Sequence, residues 1–87
     1  MSIVLTKITA SNINGKVSRK ITTEVLNEMD YMEAVELVEN KYIKPLGKLT
    51  KRSISNGYSV WESRTEYEPG KWVGVLFKLE KEYDDII

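Results

Sequence analysis

Neither cysteine nor histidine occurs among the 87 residues. Their absence removes thiolate nucleophiles, disulfide frameworks, zinc fingers, imidazole bases and serine–histidine triads, and with them most familiar enzyme chemistry. Proline occurs twice and glycine five times. Pro45 and Pro69 fall at the ends of patterned segments, so neither marks a hinge. The longest apolar run, Trp72 to Phe77, is far shorter than the roughly 20 residues a membrane helix needs, and residues 1–20 hold no signal-peptide core. Neither sign of charge prevails, at thirteen bases against thirteen acids. These features predict one cytoplasmic domain spanning residues 1–87. A chain of 10.0 kDa buries roughly 64% of its unfolded surface, so its stability is small and a partner contributes readily to it.

Two segments rich in Ile, Val and Thr, residues 2–10 and 16–26, flank the turn-forming cluster 11–15 and predict a first hairpin. Within the second, Val17, Arg19, Ile21, Thr23 and Val25 share one face. Asp30 followed by Glu33 forms a capping-box pattern that starts a helix, with Tyr31, Ala34, Val35, Val38 and Tyr42 as its apolar stripe and Pro45 and Gly47 as its end. A longer helix capped by Thr22 or Thr23 is the alternative start. Asn56-Gly57 reads as a type I′ hairpin turn that pairs Ser55 with Tyr58, Ser53 with Val60 and Arg52 with Trp61. A second turn over 68–71 sets Tyr67 opposite Trp72. The expected fold is α+β in the order ββαβββ, an antiparallel sheet with one helix on one face.

Counting outward in that register puts Val73, Val75, Phe77 and Leu79 on the core face with Val60 and Leu49. Trp61, Tyr67, Trp72 and Leu76 fall on the other face, with Arg52, Ile54 and Lys78. Trp61, Trp72, Tyr67 and Arg52 are therefore the expected partner-binding residues, because a contiguous aromatic patch left in water marks an interaction surface. The competing reading covers that patch with the first hairpin or with a second copy of the chain, a homodimer. Bases gather in two stretches, and Arg19, Lys20, Lys44, Lys48, Lys51 and Arg52 are expected to merge into one region suited to RNA or single-stranded DNA. A neutral net charge argues against a general duplex binder.

Three further clusters invite other chemistry. The acidic stripe Glu28, Asp30, Glu33, Glu36 and Glu39 has the layout of a nucleic-acid mimic, but the chain lacks a mimic's net negative charge. Glu80, Glu82, Asp84 and Asp85 lack the glycine-bearing spaced loop of a calcium site and read as a solubilising edge. Glu62, Arg64 and Glu66 alternate on the core-side parity of their strand and read as cross-strand surface ion pairs at the sheet's edge, and they are the sole arrangement with a conceivable acid–base use. No metal site, cofactor site or catalytic residue is expected, and the chain is read as a non-enzymatic binding protein.

In overall character the chain resembles the small early proteins of T4-like bacteriophages, which serve host takeover and anti-defence. It is under a hundred residues, free of cysteine, rich in Lys, Glu, Ile and Asn, and compact α+β in its patterning. The resemblance is carried by the whole chain rather than by a motif. It implies an inhibitor of a host protein, such as a nuclease, a ribonuclease toxin or a transcription component, acting in the host cytoplasm.

Overall fold

The structure is a computed structural model that describes residues 2–26 and 29–82. It is α+β, with a five-stranded antiparallel sheet and one short helix. The first hairpin joins β1 (Ser2–Ile13) to β2 (Lys16–Leu26). Its turn is the pair Asn14-Gly15, with φ of +55° and +82°. Two successive positive φ values match the right-handed twist of the flanking strands, so β1 runs three residues further than its composition predicts. Thr22 and Thr23 lie within β2, which excludes the longer helix.

The chain then crosses the sheet. The helix α1 (Tyr31–Val38) continues through a π turn, Glu39–Ile43, and a 3-10 turn, Lys44–Leu46. Asp30 holds the cap position in an extended conformation, and its carbonyl accepts from Ala34 N at 3.0 Å. Its carboxylate makes no capping hydrogen bond, so the expected capping box is not formed. Tyr31, Ala34, Val35 and Val38 are buried as the spacing requires, but Ile43 is the buried residue of the next turn while Tyr42 is half-buried. The wider π turn advances the stripe by five residues instead of four. It directly precedes the 3-10 turn that contains Pro45, whose ring and missing N–H disfavour a regular α-helical turn. Gly47, at φ +78°, closes the segment.

β3 (Lys51–Ser55), β4 (Tyr58–Glu68) and β5 (Lys71–Glu82) complete a sheet of order β2-β1-β5-β4-β3. The helical segment thus links the two edges, a distance of about 19 Å at ordinary strand spacing. Pairing of β3 with β4 follows the predicted register, Ser55 to Tyr58 through Arg52 to Trp61. The Asn56-Gly57 turn is of another type than expected, because Gly57 has positive φ (+103°) and Asn56 does not.

The β4–β5 register departs from expectation. Glu66 pairs with Trp72 and Glu68 with Lys71, leaving Tyr67 as an extra residue in a β-bulge. The predicted Tyr67–Trp72 pair does not exist. One inserted residue moves every later partner by one, and a one-residue shift exchanges the faces of a strand. Trp61 consequently lies opposite Phe77, on the side the helix covers, and Arg52 and Ile54 go with it. Val60 moves the other way, opposite Lys78 on the uncovered side.

The core sits between helix and sheet. It joins Ile3, Leu5, Leu26, Trp61, Phe77 and Leu79 to the helical residues Tyr31, Ala34, Val35, Val38 and Ile43, with Leu49, Ile54 and Val75 partly buried against it. Tyr31 fixes the start of the helix on the sheet: its hydroxyl donates to the Leu79 carbonyl at 3.0 Å and lies 2.7 Å from Ser59 Oγ. Burial pushes the Tyr31 phenol above its ordinary value, opposed by the Ser59 hydrogen bond.

Candidate functional site on the uncovered face

The two tryptophans lie on opposite sides of the sheet. On the covered side Trp61 is 0% exposed, and its indole Nε1 donates to Glu39 Oε2 at 3.0 Å. Glu39 also accepts from Arg52, through Nε at 2.8 Å and Nη2 at 3.1 Å. The Arg52 guanidinium, with help from the indole N–H, holds the Glu39 carboxyl below its ordinary value against the opposing effect of burial. Glu39 in turn raises the Arg52 pKa. Arg52 gives two bonds to Glu39 while its side chain stays about half exposed on the covered side, and Trp61 presents nothing to solvent. The expectation that these two form a partner surface with Trp72 is corrected by the bulge at Tyr67. Tyr67 itself is exposed at that bulge, away from the Trp72 pairing assigned to it.

On the uncovered side, alternation along β5 brings up Trp72, Gly74 and Leu76. Their cross-strand neighbours are Ile8 and Ala10 on β1, and Glu62 and Arg64 on β4. Gly74 has no side chain, and its partner Ala10 has only a methyl, so the middle of the sheet is hollow. The hollow measures about 190 Å³ and is lined by Ile8, Ala10, Trp72, Leu76, Glu62 and Arg64. The Arg64 guanidinium stands 4.3 Å from the centre of the Trp72 ring, a cation–π distance. Arg64 is anchored through its backbone, whose N–H donates to Thr50 Oγ1 at 2.9 Å. Beside Trp72 lies Asn12, whose Oδ1 is buried without a hydrogen-bond partner.

Glu62, Arg64 and Glu66 are thus on this face and not on the core side where the predicted register placed them. Charge here is of both signs, with Arg19, Lys51, Arg64 and Lys78 among Glu62, Glu66 and Glu80, and Lys78 pairs with Glu80 at 3.5 Å. The expected single basic region is divided by the topology. Arg19 and Lys20 are on β2 and Lys51 and Arg52 on β3, the two opposite edges of the sheet. Arg19 and Lys20 also point to opposite faces of β2, while exposed Lys44 and Lys48 lie on the connection that leads into β3.

Ile8, Ala10 and Gly74 were not singled out by composition. The available signal was Gly74 set between Trp72 and Leu76 on one face of a strand, a position that in a sheet centre marks a close approach or a gap. Of the acidic clusters, Glu28, Asp84 and Asp85 lie outside the described residues, and among the described residues no group of three or more acidic side chains is arranged to hold a metal ion. Among the described residues no helix is long and apolar enough to cross a membrane. The chain matches no known protein-family model, curated protein or solved structure.

Proposed function

We propose that the protein is a non-enzymatic binding module whose uncovered sheet face, centred on Trp72, docks on another protein. The observation that supports this most directly is the hollow at Gly74, walled by Trp72, Ile8 and Leu76 and rimmed by Arg64 and Glu62. A concave apolar floor with an aromatic wall and rim charges of both signs is the composition of a protein-interface anchor, where aromatic and arginine side chains carry most of the energy. The mixture of signs favours a protein over a polyanion, since Glu62, Glu66 and Glu80 stand on the same face. The resemblance to small phage early proteins directs the reading toward inhibition of a host defence or nucleic-acid-processing protein in the host cytoplasm, for example a ribonuclease toxin.

A second reading, an RNA or single-stranded DNA module, draws on the other side of the first hairpin. Past the helix, exposed Lys7 and Lys20 line a shallow cavity of about 210 Å³ with Thr9 and Thr22. The nearest acid on β2, Glu24, already accepts from the Tyr42 hydroxyl at 3.0 Å.

Affinity capture from the native cell, with and without ribonuclease, tests both readings. The protein-partner reading expects one protein retained by the unmodified bait and by Lys7→Ala, lost with Trp72→Ala or Arg64→Glu, and indifferent to ribonuclease. Loss on ribonuclease treatment or with Lys20→Ala, together with an affinity that falls steeply with salt, overturns it in favour of nucleic acid.

A further inference from the structure

We infer that two copies of this chain join edge to edge through β2, forming one continuous ten-stranded sheet about a two-fold axis at Ile21. The inference is independent of the function proposed for the Trp72 hollow. β2 is an outer strand of the sheet, exposed on both faces from Lys16 to Val25. Its pairing with β1 runs without a bulge, and it contains no proline. Native edges are ordinarily short, bulged, interrupted by proline, charged or covered, and of these protections β2 has only charge, in Lys16, Arg19, Lys20 and Glu24. The opposite edge, β3, is short and is tied to the helical segment by Arg52 and Glu39.

The hydrogen-bonding direction of β2 follows from its turn. A two-residue type I′ turn at Asn14-Gly15 makes Ile13–Lys16 a hydrogen-bonded pair, and the pattern alternates from there. The backbone groups of Val17, Arg19, Ile21, Thr23 and Val25 therefore point away from β1, toward the open edge. The side chains of the same five residues lie on the uncovered face, where Val17, Ile21 and Val25 are 66%, 52% and 53% exposed. Three β-branched residues in water at spacing four are symmetric about Ile21.

That symmetry selects both partner and register. An antiparallel second copy centred on Ile21 sets Val17 against the second copy's Val25, Ile21 against the second copy's Ile21, and Arg19 against the second copy's Thr23. About ten backbone hydrogen bonds close on the free edge, and all three apolar side chains meet apolar partners. On the other face Lys20 meets Thr22 and Ser18 meets Glu24, so no like charges are opposed. Centring on Arg19 would set two guanidiniums together, and centring on Thr23 would leave Val17 without a partner. The pairing keeps both uncovered faces on one side, which places two Trp72 hollows on a single surface.

Single-cysteine variants test the register without ambiguity, because the chain has no cysteine of its own. In the inferred dimer the two Ile21 Cα atoms lie about 5.5 Å apart, within disulfide range, while the two Arg19 Cα atoms are separated by about 14 Å. Under mild oxidation Ile21→Cys is expected to cross-link at least about tenfold faster than Arg19→Cys or Thr23→Cys. By sedimentation at about 100 µM the natural chain is expected at twice 10.0 kDa. Ile21→Lys is expected to run as a monomer with an unchanged circular dichroism spectrum, as is Thr23→Pro, which removes an outward N–H without touching the β1 pairing. A natural chain that is monomeric at that concentration, equal cross-linking of the three cysteine variants, or a dimer that survives both Ile21→Lys and Thr23→Pro overturns the inference.

Discussion

Trp61 and Trp72 sit on adjacent strands of one sheet and have opposite circumstances. Trp61 is sealed beneath the helix, with its N–H accepted by Glu39 and Phe77 as its cross-strand neighbour. Trp72 is half-buried on the bare side, with Arg64 over its ring and a glycine two residues on. The pair shows that a tryptophan's contribution depends on how completely its surroundings close around it. In a domain this small, closure on one side of a sheet uses all the helix there is. The covered ring is a stability element, and the bare ring stays half-exposed, which is the property the proposed docking would use.

The contrast is broken most directly by truncation. Trp61→Ala is expected to cost about 3–5 kcal/mol, most of the stability of a domain this size, read as a collapse of the urea midpoint. Trp72→Ala is expected to cost about 1 kcal/mol, through loss of the exposed cation–π contact and a partly buried ring. Equal costs would dissolve the distinction between the two sides. Emission gives a finer reading: Trp72→Phe leaves a single indole that iodide does not quench, whereas Trp61→Phe leaves an accessible one.

Next in size is Glu39. Glu39→Ala strands the buried Trp61 N–H and the Arg52 fork and is expected to cost about 1–3 kcal/mol, while Glu39→Gln, which still offers an oxygen to the indole, costs less. A double-mutant cycle with Arg52→Ala separates the ion pair from the indole bond. The pH dependence has a definite sign. The folded carboxyl binds its proton less readily than the unfolded one at about 4.5, so its contribution is present above that pH and is lost as pH falls through the folded value. Glu39→Gln removes this part of the acid transition, and denaturant midpoints measured from neutral to acid pH check it.

Tyr31→Phe follows, at about 1 kcal/mol, because the Leu79 carbonyl loses the tyrosine hydroxyl while Ser59 retains the Ser55 carbonyl at 3.3 Å. Here the sign is reversed. The folded phenol is raised above 10.0, so its contribution is intact below that pH and is lost as pH rises through the folded value. The alkaline limb of the stability profile is expected to flatten in Tyr31→Phe.

Much of the fold was legible in residues whose local chemistry is decisive. The cluster 11–15 and the pair Asn56-Gly57 announced two turns, the first of them narrower than expected, the Tyr31-to-Val38 spacing announced the helix, and the β3–β4 register followed by counting. The bulge at Tyr67 was not legible, because a Glu-Tyr-Glu stretch before Pro69-Gly70 suits a four-residue turn as well as a bulge, and local propensity does not separate them. That single ambiguity exchanged the faces of Trp61 and Val60, and it hid the Glu39–Arg52–Trp61 cluster. The π turn was equally silent, since its cause is the helix's accommodation of Pro45 and the core. The basic residues misled for a topological reason: neighbours in a list of charges proved to be at opposite edges of a sheet.

Gly74 carries one more implication. It is a residue with little strand propensity at the centre of a sheet, and a methyl group there would rest at ordinary contact distance, 3.6 Å from the Ser63 carbonyl and 3.7 Å from Arg64 Cβ. Alanine therefore fits, and it should raise stability by about 0.5–1 kcal/mol through the smaller freedom of the unfolded chain. A screen that rewards heat resistance alone would be expected to fill this position and, in doing so, to blunt the recess beside Trp72. Robustness and recognition would then pull on the same atom in contrary directions.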